Sequence, residues 1–415
     1  MAANLRRMVV LGPSGTITPG GSHDYREAGN RAFFAQTGTR WVRMWADWPT
    51  LMPDASGFDP AIIGSLDAQI ALARRDGLRI VLTLYRFATW ANGTDAMTPA
   101  QLAATMPDRK ATAASPDTSA KALNMRYPDD VSPGSAWGDF VDRIASRYSR
   151  TNPARPSLDA TIDVLEIGNE PNLQWWPQQG PSTDPANAFG AGPVVIHDVV
   201  ARMFATAKTI VARYGGEPML GGPAMADSTA ATNSRLRTGY DTTSDLLLPA
   251  LAGAGFTPGP RFVWTHHNYT DVTFDQGAGT TAPDRATVSR TTNFAADMRA
   301  RLVRAGWAGW PAADPADPWL MLTEGGVTIQ SIRAPARWGI PDTDPAAQRA
   351  KQAELVQRSW DRMASATEGA GIAVTSNYLW YTDPNFDSGL CETLETGGGA
   401  TRPAYATWGA LPSFA

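Results

Sequence analysis

The sequence predicts an α/β fold, a (β/α)8 TIM barrel, and three observations lead there. Short runs rich in β-branched and aromatic residues alternate with amphipathic helical stretches, the pattern of parallel βα units. Eight such runs can be picked out, the number that closes a barrel of roughly 250 residues or more. The chain has 415 residues, 43% of them hydrophobic, enough to bury one large core. The expected organisation is a single barrel over residues 1–415, with room for a small loop-built appendage.

The strand-like runs fall at 8–11, 41–45, 79–84, 163–168, 219–222, 261–266, 319–323 and 371–380. The helix before the second strand is expected over 24–37. The next, 59–76 (DPAIIGSLDAQIALARRD), has Asp59 where an N-cap belongs, Pro60 at the first helical position and Gly77 as terminator. Residues 136–148 place Trp137, Phe140, Val141, Ile144 and Tyr148 on one stripe. Later outer helices are expected over 194–214, 284–305 and 345–366, and Arg402-Pro403-Ala404-Tyr405 leads into a short closing helix. Two connections are longer than helix packing requires: 88–134 after the third strand and 172–192 after the fourth. In such a barrel both lie on the C-terminal face, where active sites are assembled, so they are expected to shape a substrate cleft. No internal repeat or linker stands out.

Composition narrows the function. A net charge of -4 and a pI near 5.6 argue against a nucleic-acid partner, because phosphate binding needs a concentrated basic surface. The basic residues are nearly all Arg, with Lys only at 110, 121, 208 and 351. The single cysteine, Cys391, allows no intrachain disulfide. His23, His197, His266 and His267 form no cluster with metal-ligand spacing. The longest apolar runs are strand-sized, so no membrane span is expected. The apolar stretch near the N-terminus ends at Gly12-Pro13, too short for the core of a secretion signal. The expectation is a cytoplasmic protein, or a secreted one whose signal peptide is absent here. Among the 15 tryptophans, Trp45, Trp48, Trp90, Trp175, Trp176 and Trp380 sit beside loops. Indoles stack on the C–H faces of sugar rings, so the pattern hints at carbohydrate, although a lone Trp is more often a packing residue.

Two glutamates end candidate strands. Glu170 follows Val164-Leu-Glu-Ile-Gly-Asn169, and Glu324 follows Trp319-Leu-Met-Leu-Thr323. Each comes after an apolar run and just before Pro or Gly, which places a carboxylate at the mouth of the barrel. Alone, either reads as a helix cap or a loop ion pair. Together they meet the need of glycoside hydrolysis for two carboxyl groups flanking one bond.

These segments resemble the clan A glycoside hydrolases. Glu166-Ile-Gly-Asn169-Glu170-Pro171-Asn172-Leu173-Gln-Trp-Trp is most similar to the acid/base strand of glycoside hydrolase family 39, with family 5 second. The resemblance spans almost the whole chain. Trp41-Val-Arg43-Met-Trp45-Ala-Asp47-Trp48 resembles the second-strand motif, whose Arg helps hold the nucleophile. Gly221-Gly222-Pro223-Ala224 resembles the fifth strand. His267 and Tyr269 in Trp264-Thr-His266-His267-Asn268-Tyr269 match a His-x-Tyr pair on the sixth. Asn377-Tyr-Leu-Trp380 resembles the eighth strand, whose Trp floors the sugar subsite. Two departures concern the substrate: Gly168 stands where family 39 commonly has Trp, and Gly325-Gly326 follows the second glutamate. Both changes are expected to open space beside the carboxylates.

The resemblance implies retaining hydrolysis of a β-type glycosidic bond, with Glu324 as nucleophile and Glu170 as acid/base, and no metal or organic cofactor. Arg43 and Tyr269 are expected to hydrogen-bond Glu324 and depress its pKa, whereas burial and the Glu324 charge raise that of Glu170. Asn169 is expected to donate to the sugar 2-hydroxyl. Glu166 reads as a buried carboxylate paired with Arg43, His267 as facing the cleft and His266 as facing away. Trp45, Asp47, Tyr85, Arg86, Trp90, Trp175, Asn377 and Trp380 are further candidates for sugar contact. The substrate would be a glycoside, an oligosaccharide or a polysaccharide. A transglycosidase and a non-catalytic carbohydrate-binding barrel remain the alternatives, and the sequence leaves the sugar, exo or endo action and oligomeric state open.

Overall fold

The computed structural model describes residues 5–12, 23–105, 123–172, 196–226, 240–256, 261–269, 298, 301–306, 320–333, 338–364, 372–383, 386–393 and 399–412. Eight parallel strands close into a barrel in sequence order: β1 (Arg6–Val10), β2 (Trp41–Asp47), β3 (Arg79–Tyr85), β4 (Val164–Ile167), β5 (Met219–Ala226), β6 (Phe262–His267), β7 (Leu320–Glu324) and β8 (Ile372–Tyr378). β1 pairs with both β2 and β8, which completes the ring. All eight expected strands are present, with ends shifted by a few residues.

The helices form where the sequence carries their signals. α1 covers Ala28–Thr37 and α2 covers Pro60–Arg75. The Asp59 carboxylate accepts from the amides of Ala61 and Ile62, which fixes the start of α2. α3 (Ala136–Tyr148) is capped by Ser135 and buries its whole predicted stripe. α4 (Ile196–Ala212), α5 (Tyr240–Gly253), α6 (Pro345–Met363) and α7 (Pro403–Ala410) follow. α5 was not expected. It carries Pro249 in its interior, a residue that argues against a helix from sequence. The helix expected over 284–305 and the loop at 172–192 fall mostly outside the described residues. The connection after β3 is not plain loop: it contains short helices at Thr89–Asn92, Thr94–Ala96 and Pro99–Thr105.

Strand alternation sorts the side chains into layers. Inside the barrel floor, Met8, Trp41, Val81, Val164, Val263, Met321 and Val374 form one apolar cluster. Two residues further along the same strands lie Val10, Arg43, Thr83, Glu166, Thr265, Thr323 and Ser376, all buried, so the next layer up is polar at every position but Val10. The outward faces pack against the helices in a much larger core. There Trp48 stacks on Phe140 with centroids 4.9 Å apart and an interplanar angle of 4°.

Candidate active site

The exit of β4 delivers one carboxylate through strained backbone. Gly168 has φ 81°, and Glu170 adopts φ 48°, a conformation that costs a non-glycine residue about 1–2 kcal/mol. The neighbouring strand holds it there. The Glu170 amide donates to the Ala224 carbonyl at 2.9 Å, and Ala224, itself at φ 53°, donates its amide to Thr265 Oγ1 at 2.9 Å. Asn172 then bonds both the carbonyl and the amide of Ala226, at 2.9 and 3.0 Å. The β4 exit is therefore fastened to the β5 exit over several residues.

β7 delivers the other carboxylate through a bulge. His266 pairs with Leu322, but His267 pairs with Glu324, so Thr323 is an extra residue in the ladder. Strict alternation from Met321 would have turned Thr323 inward and Glu324 away. Thr323 keeps its inward place beside Glu166, and the extra residue lets Glu324 turn inward as well and join the mouth.

Arg43 organises the centre. It is fully buried, and its Nε donates to Thr83 Oγ1 and Glu166 Oε2, both at 2.8 Å. Its Nη2 reaches Glu166 Oε2 at 2.5 Å and Asn169 Oδ1 at 2.8 Å, while Nη1 donates to Glu324 Oε1. The guanidinium lies 4.3 Å from the ring centroid of Trp45. Tyr269 donates its hydroxyl to Glu324 Oε2 at 2.9 Å. His267 Nδ1 lies 2.9 Å from Glu170 Oε1 and 3.5 Å from Glu324 Oε2, bridging the two acids.

Burial sets the protonation of these groups. It pushes the Glu324 carboxyl above the ordinary range; His267, Arg43 and Tyr269 pull it back, while the Glu170 charge pushes it further up. The expected depression of Glu324 is thus reversed, because Arg43 divides its charge between two acids and a fully enclosed carboxylate loses its water. Glu166 goes the other way: burial opposes its charge, but Arg43 and His267 outweigh that and hold it below the usual range. Burial lowers His267 to about 4, so its ring is neutral near pH 7. Burial likewise raises Tyr269 well above the usual phenol value, which keeps it a donor.

The candidates sort into those at the mouth and those beneath it. Glu170, Glu324, Asn169, His267 and Tyr269 come together. The Asn169 amide nitrogen is left uncommitted among the described residues, because only its oxygen is taken by Arg43. Trp45 is corrected from a sugar contact to a buried support, and Arg43, at the substrate site by expectation, supports it from beneath with no donor left for a sugar. Arg43 is 0% exposed with every donor group engaged, and Trp45 is 2% exposed with its indole N–H on the Leu11 carbonyl. Asp47 is also taken, its carboxylate gripping Arg86 at 2.7 and 2.5 Å. Asn377 faces outward and its amide ties the Leu379 and Ser388 carbonyls. Trp380 is not the floor of a subsite. Residues 374, 376 and 378 face inward, and Trp380, past the strand end, packs among Phe33, Tyr381 and Tyr405. Trp48 is likewise core and Trp90 donates to the Met52 carbonyl. Trp175 lies outside the described residues.

The expected openness at the glycines holds at one place only. A Cβ on Gly168 would meet nothing within 4 Å, whereas one on Gly325 would strike Asn268 Oδ1 and one on Gly326 would lie 3.0 Å from Asn377 Oδ1. Two residues went unnoticed in the sequence, Tyr378 and Phe386. Tyr378 ends β8 on the inner face, and Phe386 sits 5.1 Å from Tyr269 and 5.4 Å from Tyr378 between ring centroids. The alternation of β8 carried the signal for Tyr378; nothing local marked Phe386.

Among the described residues, Glu170, His267 and Glu324 are the group whose donor atoms cluster as a metal site would require, all within 4.8 Å of one another. Both Glu324 oxygens already accept from Arg43 and Tyr269, and the Arg43 cation would repel a metal beside it. The set fits acid–base chemistry better than metal binding.

No family model and no curated protein matches the chain. Solved structures do. A glucosidase from Croceicoccus marinus aligns over 98% of this chain and 70% of its own, at 15% identity and a TM-score of 0.54. A GH5-4 broad specificity endoglucanase from Clostridium acetobutylicum covers 98% and 96%, at 12% identity and 0.51. A family 39 glycoside hydrolase from Bacteroides cellulosilyticus WH2 covers 100% of this chain and 64% of its own, at 12% and 0.51. At these identities the likeness is one of fold.

Proposed function

We propose that this chain is a clan A glycoside hydrolase that cleaves a β-type glycosidic bond with retention of configuration. The observation that carries the proposal is the spacing of the two acids, with donor oxygens of Glu170 and Glu324 within 4.8 Å of each other at the barrel mouth. A retaining pair stands about 5–5.5 Å apart, and an inverting pair about 6.5–9.5 Å, which leaves room for a water. The similarity to solved glycosidase barrels supports the reading, and so do the unlike surroundings of the two groups.

In this reading Glu324 is the nucleophile. Arg43 and Tyr269 each hold one of its oxygens, which fixes its direction of attack. Its carboxylate bonds to the anomeric carbon as the bond from that carbon to the leaving oxygen breaks, and Glu170 gives its proton to that oxygen. In the second step Glu170 takes a proton from water, the water oxygen bonds to the anomeric carbon, and the ester to Glu324 breaks. Two acids so close do not readily ionise together, so an ionised Glu324 favours a protonated Glu170 until the ester forms. His267, neutral and against Glu170 Oε1, orients the proton donor. The Asn169 amide nitrogen is placed to donate to the substrate.

A panel of nitrophenyl glycosides tests this. Turnover should occur on at least one β-glycoside and fall by ~10⁴-fold or more in Glu324→Gln, as expected for a lost nucleophile. Azide should rescue Glu324→Ala to an inverted glycosyl azide and Glu170→Ala to a retained one. Wild-type rates in both variants would refute the assignment.

A further inference from the structure

β8 ends on Tyr378, and its ring stands at the mouth where the inward positions of that strand run out. The ring is held on two sides. Tyr269 lies 6.2 Å away at 82°, and Phe386 5.4 Å away at 82°. Phe386 is itself anchored: its amide donates to the Asp383 carbonyl at 2.9 Å. The next residue, Asp387, accepts from Thr382 and pairs with Arg402, both at 2.6 Å. Tyr378 is therefore rigid, although its side chain is only partly buried.

Its hydroxyl is near enough to feel the charges of Glu324 and Glu170, and among the described residues it has no hydrogen-bond partner. Tyr269, by contrast, spends its hydroxyl on Glu324. Tyr378 thus ends its strand beside the residue that holds Glu324, with a phenol that no other described residue engages. Trp380, the residue that would have offered a flat apolar surface, is turned into the core. What the eighth strand presents instead is a polar atom on an aromatic edge.

We infer that Tyr378 is a specificity-determining residue whose hydroxyl hydrogen-bonds one particular hydroxyl of the sugar bound between Glu170 and Glu324. The inference rests on the glycosidase reading and sharpens it. The substrate ring is recognised on this side by a directed hydrogen bond to a hydroxyl, so sugars lacking that hydroxyl are discriminated against. A neutral hydrogen bond of this kind corresponds to about 2- to 13-fold in kcat/KM.

The test takes the nitrophenyl glycoside that the wild type hydrolyses best, together with its monodeoxy analogues at each ring position. Tyr378→Phe should keep its melting temperature and lose about 2- to 13-fold in kcat/KM on the parent glycoside. On one deoxy analogue, and only one, wild type and Tyr378→Phe should become equal. Phe386→Leu, which loosens the packing and keeps the hydroxyl, should lower rates evenly across the analogues. Equal loss by Tyr378→Phe on every analogue, no loss on any, or a fall in melting temperature that tracks the rate would overturn the inference. If the wild type hydrolyses no glycoside of the panel, the glycosidase reading itself fails; if it does and Tyr378→Phe is unselective, only this inference fails.

Discussion

Tyr269 shows how much of the chemistry rests on single atoms. Its hydroxyl supplies one of the interactions that pull Glu324 down against the burial that pushes it up. Removing it in Tyr269→Phe leaves burial with less opposition, so the nucleophile ionises only at higher pH. The acid limb of the kcat/KM profile, already above the ordinary 4.5 of a glutamate, should move further up, with a rate loss of roughly 10-fold or more. An unmoved limb would mean that another group sets it. Arg43 offers a second lesson. Read as a partner of Glu324, it proves to serve Glu166 and Asn169 as well, which the sequence could suggest only for Glu166. Losing either carboxylate of such a buried cluster leaves the cation partly unpaired, commonly a cost of about 3–5 kcal/mol.

At the scale of elements, strands were legible because a β-branched run bounded by Gly or Pro is a local signal. Their irregularities were not. The extra residue at Thr323 that turns Glu324 inward is a property of pairing with β6, and no local pattern announces it. The positive φ values of Glu170 and Ala224 are likewise imposed by the tie between β4 and β5. α5 was missed because Pro249 speaks against it, and burial of Leu247, Leu248 and Leu251 overrides that preference. Trp380 was misplaced because a motif fixes order along the chain and not the direction a side chain takes once the strand has ended. β5 carries a prediction of its own. Gly222 has φ 147°, and a Cβ there would strike the Phe204 ring of α4 and lie 3.1 Å from the Ile167 carbonyl. Gly222→Ala should therefore cost about 2 kcal/mol or more, seen as a lower denaturation midpoint, and should loosen the β4 exit that bears Glu170.

For the molecule as a whole, buried histidines link stability to pH. Burial lowers His23 and His267 from 6.5 to about 4, and takes His266 well below 6.5 as well. Between those values the unfolded chain binds more protons than the folded one, so stability falls as pH drops from about 6.5 through 4. Glu166, held below its usual range, adds to the loss at the acid end; Glu324, raised, opposes it, since its contribution is present at low pH and fades as pH rises. Three histidines outweigh one glutamate over this window. Melting temperature should decline through it, and His23→Gln should flatten the decline; a flat wild-type curve would contradict the neutral, buried state of these rings. The shared guanidinium of Arg43 has a last consequence. One buried cation faces two buried acids, Glu166 and Glu324, and His267 is neutral, so with Glu170 protonated the described residues of the pocket are one positive charge short of electroneutrality. On the proposed reaction, the missing counterion is the substrate itself, whose ring turns cationic only while its bond is breaking.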